Sequence, residues 1–159
     1  MIIVCEPQIR NFGHEKVNSG FLYGLSLAFP GEKIRLYAHE THIAAIKNII
    51  IVDELKINEI EYIPIVFNTS NPILSYFSYK ILFKGILKDM QLLGTDRLFL
   101  LSFSDKILYV LKKLKIRKAF SGFKFTMVMH GGYEEIAVKT KPEEVAGYSI
   151  GKLIGYILT

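Results

Sequence analysis

The chain has no tryptophan, one cysteine and four histidines among 159 residues. Its single cysteine, Cys5, sits in the first apolar run, which excludes a disulfide framework and suits a reducing compartment. No charged segment leads into a long apolar one, so no secretory signal is read. Every apolar stretch is interrupted by Lys, Ser or Gly well before the roughly 18 residues that crossing a bilayer requires. A cytoplasmic protein is expected. Several chemistries are missing as well. There is no P-loop pattern and no G-x-S-x-G elbow. Gly20 and Gly24 lie inside a predicted helix, so the dinucleotide fingerprint is absent and no cofactor is expected. "HETH", residues 39 to 42, sets His39 and His42 three apart, but the sequence offers no third ligand, and no metal is expected.

Half the residues are hydrophobic, enough to bury a core and too many for a disordered chain. The charge is uneven. Between residues 71 and 124 stand Lys80, Lys84, Lys88, Arg97, Lys106, Lys112, Lys113, Lys115, Arg117, Lys118 and Lys124, against Asp89, Asp96 and Asp105. That local excess is larger than the +5 of the whole chain, and it points to an anionic partner or, more blandly, to a solvated basic face.

Apolar patterning alternates short strands with longer helical stripes. "MIIVCE" is a continuous run suited to a strand buried on both faces. The loop "PQIRNFGHE" leads to a first helix, "KVNSGFLYGLSLAF", with Val17, Phe21, Leu25 and Ala28 on one stripe and Pro30-Gly31 as its stop. "KIRLYA", "EIEYIPI", "RLFLLSF" and "KFTMVMH" read as strands two to five, and Pro64 argues for an edge position of the third. "THIAAIKNII", "PILSYFSYKILFKGILKDMQLL" and "KILYVLKKLKI" read as helices. Asn68 to Ser70 are the expected cap of the long one, Gly94 its stop, and Ser104 or Asp105 the cap of the next. A last helix is expected from about Pro142 to Leu158. Successive βα units predict one α/β domain, a doubly wound, Rossmann-like parallel sheet of about five strands in the order 3-2-1-4-5, with helices on both faces.

In such a sheet ligands bind beyond the carboxyl ends of the strands, where the winding reverses. Those ends carry Glu6, Asn11, Gly13 and His14 after strand one, Ser102 and Ser104 after strand four, and His130, Gly131 and Gly132 after strand five. Glycines there let backbone approach a ligand. Equally, Gly131-Gly132 is a simple turn and His130 bonds a neighbouring loop. The pair Glu134-Glu135 reads as helix-start acids favoured by the dipole.

The order and spacing of Gly13-His14, "YGLSLAFPGEKIRLYA" and "MVMHGG" resemble the amino-terminal domain of GT-B fold glycosyltransferases. Many members also carry a histidine after strand four, where this chain has Ser102-Phe103-Ser104. The resemblance implies an acceptor-binding half. A nucleotide-sugar donor would be held by a second domain beyond "GKLIGYILT", without which no transfer occurs. It further implies His14 as base toward the acceptor hydroxyl and His130 as a sugar contact, the acceptor being a sugar or a lipid-linked sugar. An imidazole near pKa 6.5 suits the first task. Asn11, Gly13, Ser102, Ser104, Gly131 and Gly132 would line the acceptor site. Lys80, Lys84 and Lys88, at i, i+4 spacing, with Lys112 and Lys113 on the next helix, match an anionic membrane surface at the inner face of the cell membrane. No nucleic acid is expected, since no binding module for it is present. The contrasting reading is a non-catalytic, flavodoxin-like binding or regulatory module.

Overall fold

A computed structural model describes residues 1–7, 14–66, 71–102, 104–115 and 122–127. The expected last helix lies outside them. Within them the chain alternates strand and helix in the order β1 (Ile2–Cys5), α1 (His14–Ala28), β2 (Ile34–Ala38), α2 (Glu40–Val52), β3 (Ile60–Pro64), α3 (Pro72–Leu93), β4 (Arg97–Leu100), α4 (Asp105–Lys115) and β5 (Lys124–Met127). All five strands are parallel, in the order β3-β2-β1-β4-β5. The predicted fold class and strand order are those observed.

Register explains why the apolar runs of β1 and β4 are continuous. Ile3 pairs with Leu98 and Cys5 with Leu100, and all four point to one face, where Phe83, Leu87 and Met90 of α3 and Ile107, Val110 and Leu111 of α4 cover them. Ile2, Val4, Ile34, Leu36, Phe99 and Leu101 point to the other face, under Leu22 and Leu25 of α1 and Ile43 and Ile46 of α2. A strand covered on both sides needs apolar residues at every position, since each side chain loses water whichever way it faces. Each fully buried side chain of this size contributes about 1.5–3 kcal/mol. Pro64 closes β3, which pairs only with β2 among the described residues; its missing N–H interrupts no inner ladder.

Three local expectations are corrected. Helix α1 begins at His14, so His14 and Glu15 belong to its first turn rather than to the preceding loop. Its buried face is Asn18, Ser19, Leu22, Leu25 and Ser26, whereas Val17 and Ala28 of the expected stripe are exposed. The cap of α3 is Asn71, whose side-chain oxygen accepts from Ile73 N–H at 2.8 Å. At the other end Gly94 adopts φ 65°, ψ 25°, and its N–H returns to the last turn, as a left-handed glycine cap does.

Candidate functional site

Beyond the carboxyl end of β1 the chain places Glu6, a carboxylate with no exposed surface. Its N–H continues the ladder to the Tyr37 carbonyl at 2.8 Å, which fixes the backbone. Its side chain lies at the seam between β1 and β4, the point where the winding reverses. Ser102, just after β4 and also buried, donates its hydroxyl to Glu6 Oε1. Asn18 of α1 donates from Nδ2 to Glu6 Oε2 at 3.1 Å. The same amide nitrogen lies 3.0 Å from Nε2 of His42 on α2. On the far side of that ring, Nδ1 faces Glu15 Oε1 at 3.8 Å.

The chemistry of these atoms sets the protons. A carboxylate only accepts, so the amide turns its NH2 toward Glu6; its second hydrogen then points at His42 Nε2. His42 therefore carries its proton on Nδ1, toward Glu15. Burial lowers the His42 pKa below the ordinary histidine value, and His14 and His39 push the same way, while Glu6 and Glu15 oppose them. At neutral pH the ring is thus uncharged and serves as an acceptor. Asn18 Oδ1 is buried and has no hydrogen-bond partner among the described residues. Cys5, one residue before Glu6, is fully buried, and desolvation followed by the Glu6 charge raises its thiol well above the ordinary range. It is a core residue and no nucleophile.

The residues expected from sequence divide into three sets. Ser102 joins the buried group, and His14 stands half-buried at the start of α1, close enough for its charge to act on His42. Ser104 instead caps α4: its Oγ accepts from Ile107 N–H at 3.4 Å and its carbonyl from Leu108 N–H at 2.9 Å. Asn11, Gly13, His130, Gly131 and Gly132 lie outside the described residues, as does Glu134. Lys80, Lys84 and Lys88 stand on α3, and Lys112 and Lys113 on α4, away from the buried group.

Sequence reasoning missed Asn18 and Glu15, and weighed His42 only as half of a metal-binding pair. One signal was available: Asn18 precedes Leu22 by four residues and His42 precedes Ile46 by four, so each polar side chain shares a helical stripe with a fully buried one. The "HETH" histidines part company. His39 caps α2, its ring accepting from Thr41 N–H at 3.3 Å, while His42 turns inward. No group of three metal-ligating side chains occurs among the described residues. A cavity of about 520 Å³ bordered by Met1, Phe29, Glu32, Gly94 and Arg97 lies at the opposite, amino end of the strands. Open parallel sheets bind ligands at the other end, so this depression is not part of the site.

No protein-family model, curated protein or solved structure matches the chain. What the fold and the buried group define together is a Rossmann-like parallel α/β domain with a polar cluster at its winding reversal.

Proposed function

We propose that the chain is the acceptor-binding half of a glycosyltransferase, one that needs a second, nucleotide-sugar-binding domain for turnover. The observation that carries this reading is the buried carboxylate–amide–imidazole group of Glu6, Asn18 and His42 at the winding reversal between β1 and β4. Glycosyl transfer asks for an acceptor of the hydroxyl proton and for donors that balance charge on the departing diphosphate. His14, at the mouth of this group, takes the first role. His130 contacts the sugar. Ser102, Asn11 and the glycines at 13, 131 and 132 line the acceptor site. The acceptor is a sugar, free or lipid-linked, and the enzyme works on the cytoplasmic side of the membrane.

The test is nucleoside-diphosphate release from a panel of nucleotide sugars by the product of the whole gene. Replacing both histidines, His14→Ala with His130→Ala, is expected to lower release by about 100-fold, the usual worth of a positioned base. An unchanged rate removes the assignment of both. A second reading, a non-catalytic flavodoxin-like module, draws on Glu6 having both oxygens occupied by protein donors, as a purely structural carboxylate would. It predicts no diphosphate release from any donor.

A further inference from the structure

The outward side of α3 is unusual for a helix that packs its other side into a core. Tyr79, Phe83, Ile86, Leu87 and Met90 form the buried side. At about 100° per residue, Ile73, Phe77, Ile81, Leu74, Lys80, Lys84 and Lys88 all fall within one arc of about 120° on the opposite side. Ile73 and Ile81 are 66% and 72% exposed, and Phe77 is half exposed. This face therefore mixes exposed apolar side chains, Ile73, Leu74, Phe77 and Ile81, with Lys80, Lys84 and Lys88. Helix α4 runs beside it and extends the surface. Tyr109, half exposed, sets its ring 6.1 Å from that of Tyr76 of α3, tilted by 49°, and Lys106 Nζ donates to Ser75 Oγ at 3.3 Å. Lys106, Tyr109, Lys112 and Lys113 share the outward arc of α4, with Lys113 lying 5.4 Å above the Tyr109 ring and Lys80 5.9 Å from that of Phe77.

Two features identify what this surface fits. None of Lys80, Lys84, Lys88, Lys112 or Lys113 forms an ion pair with a carboxylate among the described residues. Asp89, the acid within the α3 sequence, is turned instead to the Tyr37 hydroxyl and lies 3.9 Å from Arg35. The positive charge is thus left unneutralised beside exposed aliphatic and aromatic side chains. An interface that is both anionic and apolar at depth satisfies both kinds of side chain, and a lipid leaflet has that structure. No described helix is long and apolar enough to cross a membrane, so the contact lies along the surface.

We infer that the α3–α4 face docks on an anionic lipid surface, Phe77, Ile81 and Tyr109 entering the headgroup region while the lysines engage the lipid charges. The inference does not depend on sugar transfer. Its readout is binding alone, so it can fail while the proposed activity stands, and the reverse.

The absence of tryptophan supplies a clean probe. In Phe77→Trp the single indole should shift its emission to the blue on adding phosphatidylcholine vesicles containing phosphatidylglycerol, and brominated lipid should quench it. Ile51→Trp, exposed on α2 across the molecule, should do neither. Replacing Lys80, Lys84 and Lys88 together by Gln should lower cosedimentation with these vesicles by about 100-fold, each lysine being worth about five-fold. Pure phosphatidylcholine should bind weakly, and added salt should release the protein from the anionic vesicles. Absence of cosedimentation at low salt overturns the inference. So does an equal response from the α2 probe, or a blue shift that follows protein concentration without lipid, which would make the face a contact between two copies.

Discussion

At the scale of single residues, Asn18 is the most consequential side chain of the buried group, because it holds two acceptors at once. Its amide satisfies Glu6 Oε2 and fixes the tautomer of His42. In Asn18→Leu the shape is nearly kept, yet a buried carboxylate and a buried ring nitrogen each lose a donor. Unsatisfied buried groups cost about 1–3 kcal/mol, so the urea midpoint should fall accordingly. Ser102→Ala removes the other donor to Glu6 and should act in the same direction, less than additively with Asn18→Leu because both share one carboxylate. His42 makes a different prediction. Its folded pKa is lowered, chiefly by burial, so below about pH 6.5 the unfolded chain binds a proton that the folded chain resists. Stability is then complete above the unfolded value and is lost as pH falls from there through the depressed folded value. Urea midpoints between pH 8 and pH 5 should show this decline. The difference between the native chain and His42→Gln should shrink over the same interval; a constant difference would mean that His42 does not titrate in it.

At the scale of elements, the glycine within α3 and the one that ends it have opposite expected effects, although an added Cβ at either would meet no neighbouring group within 4 Å. Gly85 is an exposed residue inside the helix, where alanine lowers the cost of ordering the backbone; Gly85→Ala should stabilise by about 0.5–1 kcal/mol. Gly94 sits at φ 65°, which an L side chain resists, so Gly94→Ala should destabilise by about 1 kcal/mol. Thermal unfolding of the two variants reads the contrast directly. The carboxyl end of this helix was legible in advance because glycine is a local signal. Its amino end was displaced: Asn68, Thr69, Ser70 and Asn71 all carry side chains able to cap, so the sequence alone does not single one out, and the cap is Asn71. For α1 the difficulty was physical rather than local. Its buried stripe is Asn18, Leu22 and Leu25 with Ser19 and Ser26, polar enough to look like a solvent face. Those polar groups find partners: Ser19 Oγ donates to the Glu15 carbonyl of its own helix at 2.8 Å, Ser26 Oγ donates to the Leu22 carbonyl and accepts from Asn58 N–H, each at 3.0 Å, and Asn18 reaches Glu6 and His42. A pattern of hydrophobicity cannot register a burial that hydrogen bonds permit.

At the scale of the whole molecule, the sheet order could be anticipated because it follows from rules of winding that need only the sequence of elements. The composition of the site could be anticipated only in part. Glu6 and Ser102 stand just past β1 and β4, where the winding rule points, but Asn18 and His42 come from α1 and α2, and only the assembly of helices on the sheet brings residues up to 96 positions apart into one group. The same assembly makes a claim about folding. Both cores are built on the same strands: Ile3 and Cys5 serve the α3–α4 side, while Ile2 and Val4, their immediate neighbours, serve the α1–α2 side. Neither layer can lose its packing without freeing the backbone that orders the other, so the molecule should unfold as one cooperative unit. Leu22→Ala, on the α1 side, should cost about 2–5 kcal/mol, and Phe83→Ala, on the α3 side, about 3–5 kcal/mol, since both side chains are fully buried. Each should lower the urea midpoint of the far-ultraviolet circular dichroism and of the tyrosine fluorescence together. If the two layers were instead independent, Phe83→Ala would shift an early transition and leave a later one at the native midpoint, and the two probes would separate; coincident curves in both variants bind the two layers, and the polar group between β1 and β4, into a single folding event.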